Sequence, residues 1–133
     1  MECEIKLDYD MKEKAFIKHM KRIAIGLILL PFITVKEVKV NQTKKGFHAL
    51  LKIESEKMML DNDIVALQAI LGSDYKREAF NLFSIKQGMV NWNQLFSRKW
   101  KMDKEGKTIL ISHETPREDL GMLLKKKISM EVA

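Results

Sequence analysis

Among 133 residues this chain has one cysteine, Cys3, and two prolines, Pro31 and Pro116. A lone thiol cannot close an internal disulfide, and it leaves cysteine-based zinc sites without ligands. A reducing, cytoplasmic setting is therefore expected. Histidine is also scarce, with only His19, His48 and His113. None has a second ligand at metal-site spacing, so neither a metal nor another cofactor is expected. Long hydrophobic runs are missing too. The longest, IAIGLILLPFI at residues 23–33, is interrupted by Pro31. A bilayer span needs about 20 apolar residues, so the run reads as the buried end of a helix. No membrane partner is expected. The opening MECEIKLDYD alternates charged and apolar residues, unlike a signal peptide, and no export is expected.

Charge is abundant. There are 24 Lys and Arg against 18 Asp and Glu, a net charge of +6 with a pI near 9.4. Such an excess favours polyanionic partners, nucleic acid first among them. The alternative is plain surface charge that keeps the chain soluble. Hydrophobic residues make up 46%. That suits one globular core in a chain of this length.

Periodicity supplies the elements. Cys3, Ile5, Leu7 and Tyr9 alternate with Glu2, Glu4, Lys6 and Asp8, which predicts a strand with one buried face. Asp10 and Glu13 form a capping-box pattern ahead of a helix that Pro31 should end near Leu29. Val35, Val38 and Val40 mark a second strand, with a change of phase near Glu37 that predicts a bulge. The turn NQTKKG leads to a third strand carrying Phe47, Ala49, Leu51 and Ile53, with His48, Leu50 and Lys52 opposite. Ile64, Leu67, Ile70 and Leu71 mark a short helix stopped by Gly72. Ser73 or Asp74 caps another helix, which carries Ala79, Phe80, Leu82 and Phe83 and ends near Gly88. Residues 94–101 and 108–113 read as a hairpin around the turn DKEG. Thr115-Pro116-Arg117-Glu118 has the pattern of a helix start. Leu120, Leu123, Leu124 and Ile128 then form an apolar stripe.

No linker or repeat divides the chain. A single α+β domain over residues 1–133 is expected, with an antiparallel sheet and helices on one face. The order βαββα-then-strand is that of a ferredoxin-like or RNA-recognition-motif-like core, here extended by a C-terminal hairpin and helix. Such a sheet leaves its second face open for function.

Two stretches are candidate nucleic-acid sites. In Lys44-Lys45-Gly46-Phe47-His48, two ammonium groups at a turn can hold phosphate and an adjacent ring can stack on a base. The stretch partly resembles the aromatic strand of RNA-recognition motifs, but Ala49 and Leu51 stand where that family has further aromatics. The competing reading puts Phe47 in the core. The second stretch holds Trp92, Asn93, Arg98, Lys99, Trp100 and Lys101, in which rings and amides are interleaved with cations. There the competing reading has Trp92 and Phe96 packing the core. Trp100 is harder to assign to a core, because Arg98 shares its face of the strand.

Two other classes remain open. Asp61, Asp63, Asp74 and Glu78 are the carboxylates a metal-dependent nuclease would use. Their plainer roles are helix-start charges, a cap and a surface ion pair. Met58 and Met59 with Trp100 would instead serve a homo-oligomeric or virion protein as a subunit contact. Ser73-Asp74-Tyr75-Lys76 fits an S-x-x-K nucleophile pattern, but its partner motifs are missing and Ser73 reads as a cap.

GFHALLKI, LQAILGSDYKREAFNLF and NWNQLFSRK together resemble small proteins carried by archaeal viruses and plasmids. The resemblance covers roughly residues 38–101. It implies a mobile-element origin and a tie to replication or nucleic-acid handling. The favoured expectation is a non-catalytic protein that binds single-stranded nucleic acid.

Overall fold

A computed structural model describes the backbone of every residue except Phe96, Ser97, Asp103, Lys107, His113 and Ala133. It leaves undescribed the side chains of residues 98–102, 108–112 and 131–132 as well. The described residues form strands β1 (Glu2–Tyr9), β2 (Ile33–Gln42), β3 (Phe47–Ser55), β4 (Arg98–Met102), β5 (Thr108–Ser112) and β6 (Thr115–Pro116). The helices are α1 (Glu13–Ile28), α2 (Asp61–Ile70), α3 (Tyr75–Lys86) and α4 (Glu118–Val132). The α+β class is as expected.

Four strands make an antiparallel sheet in the order β1-β3-β2-β6, and β4 pairs with β5 separately. The expected bulge is present as a register shift between Val35 and Glu37. The fourth strand lies beside β2, whereas the ferredoxin-like order places a strand beside β1. Thr115-Pro116 is that strand and not the start of a helix: it pairs with Gln42 and Asn41, and α4 begins at Glu118. An edge position suits proline, which has no N–H to give a neighbour. The expected capping box of α1 is also corrected. The helix starts at Glu13 after Lys12, with no side-chain cap.

Alternation explains the core. Ile5, Leu7 and Tyr9 of β1 and Phe47, Ala49, Leu51 and Ile53 of β3 face the same side. On it pack Phe16, Met20, Ile23, Ala24 and Leu27 of α1, Leu120, Leu124 and Ile128 of α4, and Leu67 and Leu71 near the end of α2. The α2 terminus is buried, so its last carbonyls need donors. Leu71 O accepts from the Tyr9 hydroxyl at 2.7 Å and lies 3.0 Å from His19 Nε2. Burial pushes the Tyr9 phenol well above its ordinary range. Gly72 then turns the chain at φ +82°, where its missing side chain leaves room for the His19 ring.

Helices α1 and α4 run side by side in the same direction. Arg117 reaches Glu13 at 2.7 Å at their starts, and Lys21 shares a groove with Leu123–Met130 residues farther along. Arg117 also bonds Gln42 and Asp119, tying β2 to both helix starts.

The β2–β3 turn is anchored at Gly46. A β-carbon there would lie 1.9 Å from Tyr9 O and 2.9 Å from Met11 N, both backbone atoms. Gly46→Ala should therefore displace the turn and destabilise the fold by about 1–3 kcal/mol, the usual range for overpacking. A urea melt checks this. An unchanged midpoint would mean that the turn does not seat against the β1–α1 junction.

Candidate nucleic-acid interface

Lys44 and Lys45 are exposed on the β2–β3 turn. Because Gly46 sits against Tyr9 and Met11, that turn lies at the head of α1, where Lys12 and Lys14 are also exposed. Lys14, Lys18 and Lys21 follow at i, i+4 and i+7, so they share the outer face of α1. All three are exposed. Lys21 then meets α4: together with Lys126, Lys127, Leu123 and Met130 it lines a groove of about 340 Å³. Basic side chains thus run from the Lys44–Lys45 turn along α1 into the α1/α4 groove. Among the described residues, none of these lysines is held in an ion pair. Of the acidic groups in the first turns of the two helices, Glu13 and Asp119 are occupied by Arg117. Sequence reasoning named only the head of this track. Its far end pairs residues more than a hundred positions apart, and only packing brings them together.

Phe47 is 2% exposed. Its ring stacks on Phe16 with centroids 4.6 Å apart and planes 9° apart. It packs the core, as the competing reading held, and no face of it is offered to a base.

His48 lies on the second face of the sheet, as its alternation required, but it too is buried. Its Nε2 is 3.4 Å from Asp8 Oδ1 and its Nδ1 is 3.3 Å from Glu114 Oε1. Asn41 Nδ2 donates to the same Glu114 oxygen at 2.7 Å. The two carboxylates flank opposite ring nitrogens, so the three groups cannot ligate one ion together. This polar row crosses β1, β3 and β2 and takes up the face that an open sheet would present. Beside it, Lys6, Leu50, Gln94 and Leu95 line a shallow cavity with Asn41 and Glu114.

Trp92 is buried, and Asn93 is used inside the protein. Asn93 Oδ1 accepts from Arg77 Nη2 at 2.7 Å, and its Nδ2 donates to Gln68 Oε1 at 2.8 Å. Both belong to a polar network that closes the outer edge of β1. Lys6 N–H donates to Gln68 Oε1 at 2.9 Å, and Arg77 Nη1 donates to Lys6 O at 2.8 Å. Asp8 N–H donates to Ser73 Oγ, and Asp74 N–H donates to Asp8 O. Side chains and one amide thus satisfy the groups that a neighbouring strand would have paired. The backbone of Arg98, Lys99, Trp100 and Lys101 forms β4, but their side chains lie outside the described residues. Phe96 and His113 lie outside them altogether.

The carboxylates do not gather. Asp63 Oδ2 accepts from Leu60 N–H at the start of α2, and Asp74 Oδ1 caps α3 through Lys76 N–H. The ion pair expected for Glu78 at the surface is buried. Glu78 is 3% exposed and accepts from Gln68, Asn81 and Arg77 at 2.7, 2.9 and 2.6 Å. Burial lowers the Arg77 pKa, with Glu78 opposing that shift. Among the described residues no group of three or more His, Cys, Asp or Glu is placed to hold a metal ion. No described helix is long and apolar enough to cross a membrane.

No protein-family model, curated protein or solved structure matches this chain.

Proposed function

We propose that this is a non-catalytic nucleic-acid-binding protein of a mobile genetic element, acting in the host cytoplasm. The observation that carries the reading is the lysine track from Lys44 and Lys45, through Lys14, Lys18 and Lys21, to Lys126 and Lys127. Ammonium groups spaced one helical turn apart suit a chain of phosphates, which gains affinity by releasing counterions. Leu123 and Met130 give the groove apolar lining against which a sugar or base can rest. Single strands are favoured, because an unpaired backbone can follow a narrow groove between two helices. Arg98, Lys99, Trp100 and Lys101 remain candidates for a second contact in which Trp100 stacks on a base. On the same footing, we read the β1-β3-β2 core as a ferredoxin-like arrangement whose fourth strand has moved to the far edge.

The test is a fluorescence-anisotropy titration with a labelled single-stranded oligonucleotide over a range of salt. Affinity should fall steeply with salt, with a log–log slope of about −0.7 per phosphate contacted. Lys21→Ala, Lys126→Ala and Lys127→Ala combined should weaken binding to every sequence and reduce that slope by about two. Lys44→Ala with Lys45→Ala should reduce it by about 1.4. Absence of binding at low salt would remove the proposal. Full binding by the triple variant would remove the groove from it.

A further inference from the structure

Helix α3 is inside out. Its buried residues are Glu78, Asn81 and Ser84, which face the network at the β1 edge. Apart from the half-buried Ile85, its large apolar residues point the other way: Tyr75 is 75% exposed, Phe80 59%, Phe83 60% and Leu82 37%. Ala79 is exposed among them. At 100° per residue these five fall on one side of the helix, with Lys76 and Lys86 on the same side near its two ends. Scattered single apolar residues on a surface need no explanation, but three aromatic rings on one helical face do. An isolated helix would gain nothing by presenting them to water.

We propose that this face of α3 is the contact between two copies of the chain. A second copy meets the area that a specific contact needs. At about 200 Å² for a fully exposed aromatic side chain, the three rings leave roughly 400 Å² of apolar surface in water. A two-fold pairing covers the same patch on both copies. With Leu82 and Ala79 added, the pair removes on the order of 1,000 Å², the lower bound for a specific interface. The shape also suits self-pairing. An antiparallel crossing centred on Ala79 brings its small side chain against its own copy. The same crossing sets Tyr75 opposite Phe83 on each side, a pairing of rings. Lys86 lies beyond the paired span, and the long stem of Lys76 can carry its ammonium group out of the contact into water. No residue of the lysine track lies on this face, so pairing leaves the track open.

The two surfaces answer salt in opposite ways. Each copy carries a net charge of +6, so salt screens the repulsion between copies and should strengthen the dimer. Salt should weaken nucleic-acid binding. The experiment is sedimentation equilibrium of the full chain, without nucleic acid, at low and high salt and over a range of concentration. A reversible dimer, tighter at high salt, is expected. Phe80→Ser with Phe83→Ser should cost the dimer at least about a hundredfold in affinity, since exposed aromatics dominate such contacts. Their exposure means the fold should survive, and circular dichroism and the urea midpoint of the double variant check that it does. A wild-type chain that stays monomeric to its solubility limit overturns the proposal. So does a dimer that the double variant leaves intact. A monomer that floats with anionic lipid vesicles, and loses them on the same substitutions, overturns it in favour of a lipid surface.

Discussion

Glu78→Ala should destabilise the protein by about 3–5 kcal/mol, the usual cost of removing one partner from a buried ion pair. The side chains of Arg77 and Glu78 are only 7% and 4% exposed. Removing the carboxylate strands the guanidinium in a place where burial already works against its charge. It also deprives Gln68 Nε2 and Asn81 Nδ2 of their acceptor. The damage should spread to the β1 edge, because Arg77 and Gln68 are the groups that satisfy the Lys6 backbone. A domain of this kind has roughly 5–15 kcal/mol in total, so the loss is large. The measurement is the urea unfolding free energy. Arg77→Met with Glu78→Met should be milder than Glu78→Ala alone, since both charges leave together. A loss under about 1 kcal/mol for Glu78→Ala, as for a surface pair, would contradict the burial described here.

The same network shows why α3 was only half legible. A period of 3.6 tells which residues share a face of a helix, not which face is inside. Ala79, Phe80, Leu82 and Phe83 were grouped correctly, yet Glu78, Asn81 and Ser84 are the ones buried. The reason lies elsewhere in the chain. Among the described residues no strand lies beside the outer edge of β1, so its N–H and C=O groups need polar partners, and Arg77 of α3 and its cap Asp74 supply those for the carbonyls. Strands β1 and β3 were easier, because alternation against one core leaves only one register that hides Ile5, Leu7, Leu51 and Ile53. The break of α1 near Leu29 and the bulge at Glu37 could likewise be read locally, the one from Pro31 and the other from a skipped phase. The two-residue strand β6 could not, because Thr-Pro followed by Glu is an equally good helix start. The lysine track was legible only at the Lys44–Lys45 turn. Nothing local says that Lys21 and Lys127 line one groove, since that depends on α1 and α4 lying side by side across the sheet.

Phe47→Ala should cost about 3–5 kcal/mol, the range for truncating a buried phenylalanine. The ring begins a stack that ties the sheet to α1. It lies on Phe16, Phe16 tilts against Tyr9 with centroids 5.6 Å apart, and Tyr9 meets His19 edge-on at 4.8 Å. Removing it leaves a hole between β3 and α1 that neighbouring β-sheet backbone cannot close. Phe47→Leu should fold with a loss under about 1.5 kcal/mol, because it nearly keeps the volume. That second variant separates packing from recognition. A ring that stacks on a base would lose about 1–3 kcal/mol of oligonucleotide affinity on becoming leucine, with the salt slope unchanged. With Phe47 facing the core, Phe47→Leu should instead bind as the unaltered protein does at every salt concentration, while its urea midpoint falls. Lys44 and Lys45, exposed on the turn before it, should show the reverse: a shallower salt slope at nearly constant stability. Weakened binding by a fully folded Phe47→Leu would return the ring to the interface and require β3 to expose it when nucleic acid is bound.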